Sequence, residues 1–258
     1  NLGIACKARA HFAEARRWIA AGLELRPNDA NGHLAMATAL LAEGDVKRGL
    51  AEYEWRHVGQ RTRYDILPAP RWDGSPIVDG ALLVWGEQGI GDEIMFIQYL
   101  RKLAGKVRRV VVECDKRLLT VFRRSFPDVE LVARGPTPDD RLFEPDIVAQ
   151  IALLSLPYAL GFERTDLASD GAFLVPDGRR AKETAARMPT RDGRLRVGIA
   201  WRSLRRAPIY SRSHTSLSDW GKILQAPNVD FFNVQYGDVA EEIADARKQH
   251  GVEIRHID

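Results

Sequence analysis

The chain has 258 residues, with 38 basic and 35 acidic side chains and a net charge of +3. That length holds one large or two modest domains with a real core, and the charged and apolar fractions are those of a globular protein. The small net charge excludes nucleic acid as an expected partner unless a local cluster supplies it. No apolar run approaches the ~20 residues needed to cross a bilayer, and no stretch looks like a signal peptide. Cys6 and Cys114 are expected in different domains, as small buried hydrophobes in a reducing cytosol, so a cytoplasmic location is predicted. The chain starts at Asn1 inside what reads as a repeat, and the expectation is a fragment.

A shift of about 34 residues lays Leu2 on Met36, Gly3 on Ala37, Ala5 on Ala39, Ala10 on Gly44, Ala15 on Gly49 and Ile19 on Tyr53. The small residues matter most, because they let paired antiparallel helices approach closely. Pro27 follows Leu23 and Leu25 and closes one repeat. The pattern over residues 1–57 resembles a tetratricopeptide repeat, with His33 where that family carries an early tryptophan. Two repeats are fewer than the three or so needed for independent stability, so they must dock on the next domain or continue upstream. The resemblance implies a concave groove for a peptide or protein; a structural cap is the alternative. Tyr53, Glu54, Trp55 and Arg56 are predicted to form a docking surface. Residues 58–80, with Pro68, Pro70, Gly74, Pro76 and Gly80, read as a linker pinned by Trp72.

From residue 81 strands and helices alternate. Leu82–Trp85 is a short apolar run, Gly86, Gly89 and Gly91 follow, and Ile94, Ile97, Leu100 and Leu103 recur at helical spacing. A strand, tight loop and helix in an open α/β sheet put the loop at the carboxyl edge, where ligands bind. Gly86 and Gly91 have the spacing of a phosphate loop, but Asp92 and Glu93 stand where Lys and Ser or Thr belong; the dinucleotide pattern fails at Ile94. Two carboxylates at a helix start repel a phosphate. Asp92 therefore reads as an N-cap, an acid/base carboxylate, or both. Val107–Cys114, Val129–Ala133 and Asp146–Ala149 are the next strands, with Asp115 capping a helix that buries Leu118, Leu119 and Phe122, and Leu153–Pro157 a short helical turn. This alternation implies a parallel sheet covered by helices.

Residues 176–194 form a break around a polar helix at Arg179–Arg187, and a second α/β domain is predicted from Leu195. Its strands are Leu195–Trp201, Val229–Gln235 and Val252–Ile257, and its helices open at Asp219–Trp220 and run over Val239–Lys248. Between Arg202 and His214 stand Arg205, Arg206 and Arg212 with no Asp or Glu. Such a loop at a strand's carboxyl edge would hold a phosphate or diphosphate through charge-assisted contacts; a solvated basic loop is the plain alternative. One domain then offers a carboxylate at its sheet edge and the other a basic loop, an arrangement expected to suit chemistry in the cleft between them.

The segments WDG at Trp72–Gly74, GEQGIGDEIMFIQYL at Gly86–Leu100, LLSLPYALG at Leu153–Gly161 and RVGIAW at Arg196–Trp201 resemble bacterial tetratricopeptide proteins fused to a GT-B glycosyltransferase related to the heptosyltransferases. The resemblance implies an N-terminal all-α segment at 1–57, a linker at 58–80, an acceptor-side Rossmann-like domain at 81–194 and a donor-side one at 195–258. A GT-B donor domain would continue past Asp258, so the second domain is expected to be incomplete. The family's Gly-Asp pair falls on Gly91-Asp92, making Asp92 the candidate base for an inverting transfer to an acceptor hydroxyl. Glu87, Gln88, Gly89, Gly91, Trp201, Arg202, Arg212, His214 and Gln235 are the expected substrate- and donor-binding residues. The expected partners are a nucleotide-sugar donor and a protein or glycan acceptor, a surface-appendage protein such as flagellin being suggested, with no cofactor and no metal. Consistently, no D-x-D motif, zinc-ligand spacing or G-x-S-x-G elbow occurs. A non-catalytic peptide-binding scaffold on a degenerate GT-B body is the competing reading, and a nicotinamide or ATP enzyme is disfavoured by the failed phosphate loops.

Overall fold

The computed structural model describes residues 2–59, 64–167, 171–189, 193–202 and 215–257. It is a mixed α/β structure with two parallel sheets, and it divides into two compact units, Asn1–Val175 and Pro176–Asp258. Among the described residues no helix is long and apolar enough to cross a membrane.

The first unit opens with four helices: α1 Leu2–Ala8, α2 Phe12–Leu25, α3 Ala30–Glu43 and α4 Val46–Tyr53. Asp29 caps α3 by accepting from the Asn31 and Gly32 amides. Gly44 ends α3 in the left-handed region (φ 85°), and Asp45 then caps α4, so a two-residue stop and start reverses the chain. Small residues hold the helices close, as the sequence pattern predicts: Ala15 is fully buried, and a Cβ on Gly49 would lie 2.7 Å from the Leu41 side chain.

Next come β1 Ala81–Trp85, α5 Ile90–Phe96, β2 Val110–Asp115, α6 Leu119–Ser125, β3 Glu130–Arg134, β4 Ile147–Ala152 and α7 Leu156–Ala159. The strands pair in the order β3-β2-β1-β4, all parallel. Every side chain of β1 is buried, because alternate residues enter two different cores. Leu82 and Val84 join Val112, Ile97, Leu100, Phe122 and, from α4, Val46 and Leu50 on one face. Ala81, Leu83 and Trp85 join Val111, Leu142 and the segment residues Tyr64, Leu67 and Ala69 on the other.

That second cluster changes the meaning of the predicted linker. A parallel sheet needs both faces covered, and here Tyr64, Leu67 and Ala69 cover one of them. The segment also closes an open edge: the Trp72 amide donates to the Gln150 carbonyl at 2.8 Å and the Gln150 amide to Pro70 at 2.9 Å, pairing it with β4. Trp72 does pin the stretch, buried and bonded to the Ser75 carbonyl. The first sheet thus packs α4 on one face and the covering segment on the other, while Cys6, Ala15, Ile19, Met36 and Leu40 form a separate cluster among the helices. Cys6 and Cys114 both fall in this unit, each buried and free.

The second unit holds α8 Gly178–Arg187, β5 Leu195–Ile199, α9 Gly221–Leu224, β6 Val229–Asn233, α10 Ala240–His250 and β7 Ile254–His256, with a parallel sheet β5-β6-β7. The division falls at Pro176 rather than at Leu195, and Arg255 shows why: its guanidinium grips the Pro189 carbonyl at 2.6 Å, tying the stretch before β5 to β7. Two local expectations shift as well. Asp115 holds a turn through the Arg117 amide, and α6 starts later, at Leu119. Asp219 and Trp220 lie in a 3-10 turn capped by Ser216, with α9 behind it.

Candidate functional site

In the order β3-β2-β1-β4 the chain builds outward from β1 and then returns to its other side, so strand growth reverses between β1 and β4. Open α/β sheets bind ligands beyond the carboxyl ends of the strands at such a point. The residues there are Gly86–Asp92, leaving β1, and Leu153–Ser155, leaving β4.

Asp92 lies in the first turn of α5, half-buried, with Oδ2 accepting from the Gly89 amide at 3.0 Å. It is therefore a cap with one carboxylate oxygen left open: among the described residues its Oδ1 accepts no hydrogen bond. Gln88 is exposed and sits in the left-handed region (φ 60°), a conformation that costs a non-glycine residue about 1 kcal/mol. Gly91 is exposed, with open space where a side chain would project.

Glu93, the next residue, points inward and is fully buried. It pairs with Arg134 and accepts from the Asp115 amide at 2.8 Å. Arg134 also donates to the Gly86 carbonyl at 2.5 Å. Gly86 is a glycine for this reason: a Cβ there would meet the Glu93 carboxylate at 2.7 Å. On the other face, the Tyr64 hydroxyl bonds buried Glu113 and its ring stacks on Trp85 at 4.1 Å.

Glu87, expected to meet substrate, is gripped by Arg56 instead. Arg56, a residue only 7% exposed, donates from Nε to Oε2 (3.1 Å) and from Nη2 to Oε1 (2.6 Å) of Glu87. Nη2 also reaches Ser155 Oγ (2.7 Å), and Nη1 reaches Glu54 Oε1 (2.7 Å) and the Tyr53 carbonyl (3.1 Å). Ser155 Oγ in turn donates to Glu54 at 2.9 Å. The docking surface predicted at Tyr53–Arg56 is thus a buried polar knot at the carboxyl ends of β1 and β4. Tyr53 is close to the same loop. Burial pushes its phenol up; Arg56 opposes, while Glu87, Asp92 and Glu54 add to the shift.

Beside the knot is a cavity of about 240 Å³ lined by His57, Tyr64, Asp65, Arg71, Trp85 and Gln150. Burial, then the Arg56 and Arg71 cations, push the His57 imidazole down to about 3 against the opposing Asp65 carboxylate, so it is neutral at pH 7. Cys114 is pushed up to about 12, mainly by burial, which keeps it a thiol.

In the second unit, Trp201, Arg202 and Gln235 do come together. Gln235, buried, accepts the Trp201 and Arg202 backbone amides on Oε1, each at 3.1 Å. Arg202, expected to hold a phosphate, is paired with Glu242 of α10 at 2.5 Å, and the Trp201 indole donates to the same carboxylate at 2.6 Å. Hydrogen bonding from Arg202 holds Glu242 below the usual carboxylate range. Thr215 bonds the Trp201 carbonyl through both its amide and hydroxyl, so the residues flanking 203–214 meet. Arg205, Arg206, Arg212 and His214 lie outside the described residues.

Sequence reasoning placed Arg56 only in a docking surface and missed Ser155 and Glu242. Arg56 meets Glu87 across 31 positions and Ser155 across 99, and no local pattern marks such a pairing. The one available signal was a charged Arg at the end of an otherwise docking, aromatic-rich helix end.

No family model matches the chain. The chain is 31% identical over 245 residues to Protein FlbA of Caulobacter vibrioides, an alignment that covers 85% of this chain. It spans only 39% of that relative's length.

Proposed function

We propose that this chain is part of an inverting, metal-independent glycosyltransferase of GT-B type that moves a sugar from a nucleotide-sugar donor to an acceptor hydroxyl. The observation that carries the reading is Asp92: a half-buried carboxylate beyond the carboxyl end of β1, anchored through one oxygen while the other accepts no bond among the described residues. The acceptor oxygen attacks the anomeric carbon as Asp92 takes its proton, the bond to the donor phosphate breaks, and the nucleotide leaves with the electron pair. Within the second unit Arg202, which the sequence offers for a phosphate, is paired with Glu242 and is available to a ligand only after leaving it. The hold of Arg56, at the end of the helical segment read as tetratricopeptide-like, on Glu87 in the loop that carries Asp92 favours an acceptor, a protein in the first instance, presented by that segment. A nucleotide-release assay over UDP-, GDP-, ADP- and CMP-sugars tests this. Asp92→Asn should stay folded and lose transfer by at least about a hundredfold; full activity in that variant removes Asp92 as the base.

The second reading is a non-catalytic peptide-binding scaffold. It is favoured by the internal pairing of Glu87 with Arg56 and of Arg202 with Glu242, two charged groups otherwise suited to ligand. It requires that no nucleotide sugar shifts the melting temperature, whereas a peptide does.

A further inference from the structure

We propose that Arg56 is a positioning residue for the loop that carries Asp92, and that through it the helical segment sets the geometry of that loop; the consequence for transfer rests on the reading of Asp92 as the base. An arginine side chain offers five N–H donors in a fixed plane. All five of Arg56 are used: one on Nε and two each on Nη1 and Nη2, shared among Glu87, Ser155, Glu54 and the Tyr53 carbonyl. Four of these bonds join segments distant in sequence or fix the ring of carboxylates around the cation. A guanidinium bonded on every donor cannot rotate without breaking several contacts at once.

The path from Arg56 to Asp92 is short and covalent for most of its length. Glu87 is held by two bonds to Arg56. Gln88 follows in the left-handed region, a backbone state that persists only where its neighbours enforce it. Gly89 comes next, and its amide is the one that anchors Asp92 Oδ2. The strained residue thus lies between two fixed points, Glu87 on Arg56 and Gly89 on Asp92. Releasing the first lets Gln88 relax toward negative φ, which turns the Gly89 amide and loosens the carboxylate. Ser155 extends the hold to β4, so one cation from the helical segment fastens both strand exits at the place where strand growth reverses.

Charge makes the clamp specific. Glu54 and Glu87 both lie against Arg56, with side chains 18% and 12% exposed. Two carboxylates brought this close repel unless the cation stays between them. Lysine keeps the charge but supplies three donors and no plane, so it cannot hold Glu87 through two bonds and also reach Ser155 and Glu54.

Hydrogen exchange on the intact chain tests the clamp without reference to any reaction. In Glu87→Gln and Arg56→Lys, amides in 86–92 should exchange at least about tenfold faster while those of β2 are unchanged, since a charge-assisted bond holding the loop is lost. Glu87→Gln, the milder change, keeps the test open if Arg56→Lys unfolds. In the transfer assay the same variants should lose kcat by about tenfold with the donor KM nearly constant, a loss confined to the chemical step. Unchanged exchange at 86–92 in a folded Glu87→Gln overturns the proposal. Accelerated exchange where the full-length protein shows no transfer before mutation upholds the clamp and removes the glycosyltransferase reading instead.

Discussion

Gly86→Ala should be among the most damaging single-methyl changes in the first unit. The new Cβ would lie 2.7 Å from both Cδ and Oε1 of Glu93 and 3.0 Å from Arg134 Nη1. None of these atoms can retreat. Glu93 Oε2 is held by the Asp115 amide, Oε1 by Arg134, and Arg134 by the Gly86 carbonyl itself. Overpacking a rigid site costs about 1–3 kcal/mol, and parting a buried ion pair costs about 3–5 kcal/mol. The methyl group does the first and part of the second, so we expect a loss of about 3 kcal/mol. Gly91→Ala, five residues on, meets open space in the first turn of α5 and should gain about 0.5 kcal/mol from alanine's helix preference. Urea unfolding followed by tryptophan fluorescence measures both, with exchange of the β2 and β4 amides reporting the first unit separately. If the two variants differ by less than about 1 kcal/mol, Glu93 has room to move and the close-packing explanation of Gly86 is wrong.

Two pH responses follow from the same structure. The unfolded chain protonates His57 below 6.5, whereas the folded chain does so only near 3. Stability is therefore complete above 6.5 and falls as the pH drops through that window; with the half-buried ring screened by solvent, the loss is about 1–2 kcal/mol. His57→Gln should flatten this dependence, and an unchanged slope would place His57 in water. Glu242 behaves as a carboxylate depressed by Arg202, so its stabilising contact is present above 4.5 and is lost as the pH falls through its lower folded value. Because the Trp201 indole donates to Glu242, Trp201 fluorescence should change over that acid range and stop doing so in Glu242→Gln.

The strands of this protein are written locally. Leu82–Trp85 and Val110–Val112 are apolar without alternation because a parallel strand buries both faces, and Asp29, Gly44 and Asp45 mark helix ends through their own backbone bonds. Asp92 was legible for the same reason, since a carboxylate in a helix's first turn is a local feature. The division of the chain was less so, because Pro176–Arg194 has little apolar pattern and its place is set by a bond from Arg255.

Folding alone decided which charges are paired inside the protein. Sequence presents Glu87 and Arg202 as substrate- or donor-binding candidates and Glu93 only as a second carboxylate at the helix start. The fold takes Glu87 with Arg56, Glu93 with Arg134 and Arg202 with Glu242, each partner at least 31 positions away. It also turns the proline-rich stretch 64–72 from a connector into the cover of a sheet face and the mate of β4. Periodicity reports which face of an element is apolar, but a pairing between distant ions depends on how the elements pack. That is why the sequence by itself determined the elements and the place of Asp92, and only the tertiary structure decided which of its charged neighbours hold the loop and which stay free.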